Sequence, residues 1–295
     1  MSTLRRQDIP GPGYQRIACA QVETAIRSLT RQAGQAVAAS DAIQQTYAVL
    51  GLIESDLPRQ DVRRDRAILG RLRDGLAEMT EPTQMLEQLN RGYKKSPADA
   101  DLNSAVKTLR KRWSALDQSA SAMSSKAGSF NPMIYRLVAD MAELRGHMDH
   151  WPVADVSTDA PRGLRRTYAK ARRLAGEPMT IDTLQALIVV LQQLVAQLTI
   201  LSKSCSTMIK AHRKLFSRSA EALMGELLSE QLDQAIRNEL GKAASKALPK
   251  PTPLAERLAP VLQGDLAAAL AESPAAMMKR MQTYWSAWRH DEVGK

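Results

Sequence analysis

Cysteine, aromatic side chains and long apolar runs are all scarce in this chain of 295 residues, and each scarcity closes off a class of protein. Two cysteines, Cys19 and Cys205, are too few for a disulfide framework or, alone, for a zinc site. They point to a reducing compartment, with the thiols as small buried side chains. Aromatic residues make up 4% of the sequence, which leaves few rings on which unpaired bases could stack. The longest aliphatic run, Ala186-Leu187-Ile188-Val189-Val190-Leu191, is far shorter than a bilayer-spanning segment. Met1 to Gly13 has no apolar core of the signal-peptide kind. Gly11-Pro12-Gly13 precedes a predicted helix but lacks the Lys and Ser/Thr of a nucleotide phosphate loop. The expectation is a soluble cytoplasmic protein without membrane insertion, cofactor or resident metal.

What is present is positive charge. Lys and Arg number 41 against 31 Asp and Glu, a net charge of +10, on an otherwise ordinary background of 44% hydrophobic and 24% charged residues. That balance favours an anionic partner: nucleic acid, polyphosphate or an acidic membrane surface. The charge is densest in Pro161-Arg162-Gly163-Leu164-Arg165-Arg166-Thr167-Tyr168-Ala169-Lys170-Ala171-Arg172-Arg173-Leu174-Ala175, which contains no acid. Wound as a helix, Arg162, Arg165, Arg166, Lys170, Arg172 and Arg173 share an arc of roughly 160°, with Leu164, Tyr168, Ala171 and Ala175 on the other side. Uncompensated charge so concentrated repels itself unless an anionic ligand or neighbouring carboxylates neutralise it. A solvated basic face and a polyanion site both satisfy the pattern.

Almost all the strong periodicity is helical, with no strand–turn–strand alternation. Helices are predicted over residues 15–31, 38–53, 61–78, a short one from Pro82, 98–120 and 133–148, with breaks at Gly34 and at 124–130. After a boundary at 151–162, marked by Pro152 and Pro161, the pattern restarts: 162–175, 181–202, 206–225, 229–248, 254–271 and 274–289. In the 181–202 helix, Ile181, Leu184, Leu187, Ile188, Leu191, Leu194, Val195 and Leu198 share one apolar arc. The fold class expected is all-α: two antiparallel helical bundles, 1–150 and 151–295, whose repeated helix order makes a weak internal repeat.

The run Gly163-Leu164-Arg165-Arg166-Thr167-Tyr168, followed by Lys170-Ala171-Arg172-Arg173, resembles the start of the second half of a CHAD (conserved histidine α-helical) domain. Gln15-Arg16-Ile17-Ala18 with Gln21-Val22 is similar to that family's opening helix, and Leu50 to Leu76, with Arg63-Arg64-Asp65-Arg66, resembles the region after its first signature helix. Met85-Leu86-Glu87-Gln88-Leu89 and Met133 to Pro152 follow in the family's order. The resemblance implies two bundles related by a pseudo-twofold axis, a basic groove between them that binds inorganic polyphosphate, association with polyphosphate granules, and no catalysis.

The chain departs from that pattern at the namesake positions. Asp41-Ala42-Ile43-Gln44-Gln45 places Gln44 in the register of the first histidine, and Asp182-Thr183-Leu184-Gln185 places Gln185 in that of the second. The stripe facing the groove becomes Gln185, Val189, Gln192 and Ala196, and residues 37–53 contain no His, Lys or Arg. Attraction for a polyanion is then left to the flanking helices: Arg16, Arg27 and Arg31 in the first half, and Arg162, Arg165, Arg166, Lys170, Arg172 and Arg173 in the second, with Lys107, Arg110 and Lys111 as further contributors. Weakened polyphosphate binding is one expectation; a helical scaffold for a protein partner, with phosphate binding lost, is the other. Net charge permits nucleic acid, but the scarcity of aromatics disfavours it.

Other motifs point to structure rather than chemistry. His147, Asp149 and His150 share a helix end without a further ligand cluster. Lys203, Lys210, His212, Arg213, Lys214 and Arg218 read as a solvated helix face, His212 without a Cys or Ser partner. Glu226 and Glu230 read as an ordinary i, i+4 surface pair rather than an acid/base pair.

Overall fold

A computed structural model describes residues 3–31, 35–95, 97–125, 132–203 and 206–290. Among them every regular element is helical. The first half contains α1 (Pro10–Arg31), α2 (Ala36–Ile53), α3 (Arg59–Gly92), α4 (Ala100–Ser125) and α5 (Pro132–Asp149). A short 3₁₀ turn, Val153–Asp155, leads to α6 (Arg162–Ala175), α7 (Ile181–Ile200) and α8 (Ser206–Leu240). A second 3₁₀ turn precedes α9 (Ala244–Ala247), α10 (Leu254–Gln263), α11 (Asp265–Ala269) and α12 (Pro274–His290).

Local chemistry explains most of these boundaries. Pro10, Pro132 and Pro274 open their helices, where a missing N–H costs nothing. Thr180 caps α7, its hydroxyl accepting from Thr183 N at 3.1 Å. Gly264 separates α10 from α11, so residues 254–271 form two short helices rather than the predicted one.

Two predicted breaks are absent. Residues 61–78 and the segment from Pro82 form one helix of 34 residues, with Pro82 inside α3. Residues 206–225 and 229–240 likewise form the 35-residue α8, and only its C-terminal remainder breaks, through the 3₁₀ turn and α9. Tertiary packing outweighs the local breakers. Met85 and Leu89 of α3, Val106 and Leu109 of α4, and Leu232 and Ile236 of α8 form an apolar cluster of their own, which packs the helices together beyond Pro82 and Gly225. The predicted break at Gly34 lies outside the described residues; of that at 124–130, Ser124 and Ser125 continue α4 and the rest lies outside the described residues.

The main core is continuous across both halves of the sequence, taking in Ile17 and Val22 of α1, Leu52 of α2, Leu72 of α3, Leu187 and Leu191 of α7, Phe216 of α8 and Trp285 of α12. Packing follows the repeated order: α1 rests on α2 and α5, and α6 rests on α7 and α12. The halves meet where α2 lies on α7 and α3 on α8. By length and composition α7 could cross a membrane, yet Leu184, Leu187, Leu191 and Leu194 are buried in the protein core. Its predicted apolar arc holds except at Ile181, which is 46% exposed at the helix start, and at Val195, which is half-buried.

Candidate functional site

The basic helix α6 is placed by one crossing. Gly163 sits so close to the end of α2 that a Cβ there would lie 1.8 Å from the Gly51 carbonyl oxygen. This approach seats Leu164, Tyr168, Ala171 and Leu174 in the core and leaves the opposite face outward. The Tyr168 hydroxyl, donating to the Ala269 and Glu272 carbonyls at 3.2 Å each, ties the helix to the α11–α12 connection.

The six cationic side chains on that outer face divide into two groups. Arg166 pairs with Glu54 at 3.2 Å, Arg173 with Glu177 at 2.7 Å, and Arg172 donates to the Glu272 carbonyl at 3.2 Å. Arg162, Arg165 and Lys170 are exposed and have no hydrogen bond or ion pair to any described residue. These three carry charge that only solvent and mobile ions compensate.

Glu54 extends the surface in a way the sequence did not reveal. Its side chain, 12% exposed, pairs both with Arg166 of α6 and with Arg66 of α3. Arg59 and Arg63 lie within about 60° of Arg66 around α3 and are also exposed. One half-buried carboxylate thus joins two arginine-rich helix faces into a single surface. The meeting of this helix with α6 was not legible in the sequence, because that depends on where α2 ends.

The first-half residues behave differently. Arg16 is ion-paired with Asp8 at 2.5 Å, and Arg27 folds back on its own helix, donating to the Glu23 carbonyl at 3.3 Å and the Thr24 hydroxyl at 3.3 Å. Arg31 ends α1, and its side chain lies outside the described residues. Of the supporting residues, Arg110 donates to Asn90 Oδ1 at 3.1 Å and to the Tyr93 carbonyl at 3.2 Å, far along the α3–α4 pairing.

Between the halves, α2, α3, α8 and α7 form a closed ring in which each helix packs on the next. It encloses an open cleft of about 630 Å³. Gln44, Gln45, Gln88 and Gln192 line it, with Ser40, Thr199 and Ser217. Its charged lining is Asp41, Glu221 and Arg91, and none of the basic side chains named above reaches it. The stripe expected to face the groove is met in part: Gln192 and Ala196 line the cleft, Val189 lines a small adjoining one with Gln44, and Gln185 stands exposed. A basic inter-bundle groove was expected, but this cleft is lined by amides and carboxylates.

Burial pushes the Asp41 carboxyl above its ordinary value, although part of the side chain remains open to solvent. A carboxyl raised by folding favours the folded state in its protonated form, and that advantage is lost as pH rises through the folded value. Asp41→Asn, neutral at every pH, is therefore expected to melt above the parent at pH 7 and to match it below the carboxylate range. Thermal melts at pH 7 and pH 3 check this; a variant less stable than the parent at pH 7 would contradict it.

The remaining motifs serve the framework. His147 donates through Nδ1 to the buried Asp65, 3.1 Å away, rather than standing with Asp149, which pairs with Arg145. Glu226 and Glu230 both face Arg257, at 3.4 and 2.6 Å. His212 lies 3.3 Å from Arg280, and Lys210, Lys214 and Arg218 are exposed on α8.

No protein-family model matches the chain, and no curated protein matches it. Among solved structures, PptA from Streptomyces chartreusis is similar to it with a TM-score of 0.54, over 95% of this chain and 96% of that one, at 15% identity. At that identity the likeness is one of fold, and it extends over nearly the whole length of both chains.

Proposed function

We propose that this protein is a non-catalytic polyanion-binding module, with inorganic polyphosphate as the ligand and the outer face of α6 as its centre. The observation that carries the reading is the trio Arg162, Arg165 and Lys170: exposed, without a protein partner among the described residues, and on a helix whose other face is locked in the core. A linear chain of phosphates has one charge per repeating unit and matches a row of cations better than it matches a closed pocket. The arginines of α3, joined through Glu54, lengthen the row. Arg172 and Arg173 border the far end, while Arg16 and Arg27, engaged by Asp8 and by α1 itself, add only long-range charge. The resemblance to CHAD proteins at residues 163–173 supports polyphosphate over other anions, and association with polyphosphate granules in the cytoplasm would follow from it.

The test is a salt titration of polyphosphate affinity. Each lost phosphate contact removes close to one released counterion, so Arg162→Ala, Arg165→Ala and Lys170→Ala together should flatten the log–log salt slope by about three. Affinity at low salt should fall by roughly 10²-fold. Far-UV circular dichroism should be unchanged, because Leu164, Tyr168 and Ala171 remain. A triple variant that binds like the parent at every salt concentration would place the site elsewhere. The glutamine-lined cleft favours a second reading, a helical scaffold for a protein partner. That reading takes over if the parent binds polyphosphate no better than an unrelated protein of equal charge.

A further inference from the structure

The cleft enclosed by α2, α3, α8 and α7 inverts the charge of the molecule around it. The chain has a net charge of +10, yet Asp41 on α2 and Glu221 on α8 both line this cleft. Asp41 has no cation within ion-pair distance among the described residues, and Glu221 accepts only the Ser217 hydroxyl, at 2.9 Å. The one arginine present, Arg91, is drawn aside by Glu87 at 3.5 Å. Two carboxylates left without cations in a basic protein are a local selection for positive charge.

The rest of the lining narrows the chemistry. Glutamine carbonyls accept hydrogen bonds from N–H donors, and Gln88, whose amide nitrogen donates to Ser229 at 2.8 Å, keeps its oxygen for that purpose. Val195 and Met224 supply an apolar floor for methylene groups. No aromatic ring is among the described residues that line the cleft, so neither a flat heterocycle nor a sugar face finds a stacking partner in them. The volume of about 630 Å³ suits a small molecule.

We infer that the cleft is a binding site for an aliphatic polyamine, its ammonium groups held by Asp41 and Glu221 and its methylenes lying on Val195 and Met224. The bound amine also supplies the positive charge that Asp41 lacks among the described residues. This site is separate from the α6 surface and does not depend on polyanion binding there.

Calorimetric titration of the full chain with spermidine and with putrescine, against 1,4-butanediol as the uncharged match for putrescine, tests the assignment. One saturable site is expected for each amine and none for the diol. Asp41→Asn and Glu221→Gln should each weaken amine binding by about tenfold, the usual loss for one charge-assisted hydrogen bond. The Arg162, Arg165 and Lys170 triple variant should bind the amines like the parent, which distinguishes failure here from failure of the polyphosphate site. Absence of saturable binding by both amines, equal binding of the diol, or unchanged affinity in the Asp41→Asn, Glu221→Gln double variant would each overturn the inference.

Discussion

Gly163→Ala is expected to destabilise the protein by roughly 3 kcal/mol, although in an isolated helix the same change stabilises by close to 1 kcal/mol. The added methyl would lie 1.8 Å from the carbonyl oxygen of Gly51 and 2.7 Å from Leu52 Cα, all backbone atoms that no side-chain rotation can move aside. Relief requires α6 to lift from the end of α2, and a lift of even an ångström opens the contacts of Leu164 and Tyr168, each 1% exposed. Gly70 is the control. It is also inside a helix, but a Cβ there meets nothing within 4 Å, so Gly70→Ala should stabilise by about 0.5–1 kcal/mol. Urea denaturation of the two variants should move in opposite directions. A Gly163→Ala protein as stable as its parent would mean that α6 does not cross α2 this closely. Displacing α6 also disturbs the spacing of Arg166 and Arg66 about Glu54, so polyphosphate affinity should drop in this variant without any cation having been removed.

That glycine shows where sequence reading succeeds and where it stops. The amphipathic division of residues 162–175 was legible, because a helix's own periodicity decides which side can be buried. The buried set Leu164, Tyr168 and Ala171 matches that reading. Which helix α6 lies on was not legible, since Gly51 and Gly163 are 112 positions apart and neither has a side chain to pattern. The same distinction explains α3 and α8. Pro82 breaks and Gly225 weakens a helix by short-range rules, and the packing of Met85, Leu89, Leu232 and Ile236 favours the continuous helices. The cleft was partly visible. Gln44 and Gln192 were placed facing the groove by the register of the resembled family, but the cleft's acidity arises partly from Glu221, on a helix that was predicted to end only a few residues later. For α6 the i, i+4 pair of Arg173 with Glu177 is local, but the partners of Arg166 and Arg172 were invisible, because Glu54 and the Glu272 carbonyl are remote in the chain.

Asp65→Ala should cost the fold about 3–4 kcal/mol, the scale for removing a buried charged hydrogen-bond hub. Asp65 stands in the second turn of α3, fully buried, in a stretch otherwise dense with exposed arginines. Its Oδ2 accepts from the Trp151 indole nitrogen at 2.8 Å, and its Oδ1 lies 3.1 Å from His147 Nδ1 and 3.4 Å from Arg64 Nε. One carboxylate therefore binds α3 to the end of α5 and to the turn that leads into the second half of the chain. Alanine would leave the buried indole N–H without a partner, and the nearby ring of His147 would lose its acceptor as well. The helix-propensity gain of alanine over aspartate, at most about 0.7 kcal/mol, is too small to compensate. Asp65→Asn keeps one oxygen acceptor and nearly the same volume, so it should lose only part of that stability. Chemical denaturation gives the order parent, Asn, Ala. Near-UV circular dichroism should report the loosened setting of Trp151 in the alanine variant while the polyphosphate salt slope stays at the parent value, since no outward cation of α6 is touched. An alanine variant as stable as the parent would mean that the carboxylate is not the hub of this junction. A lowered salt slope in a fully folded Asp65→Ala protein would mean that the α3 arginines depend on Asp65 for their aim.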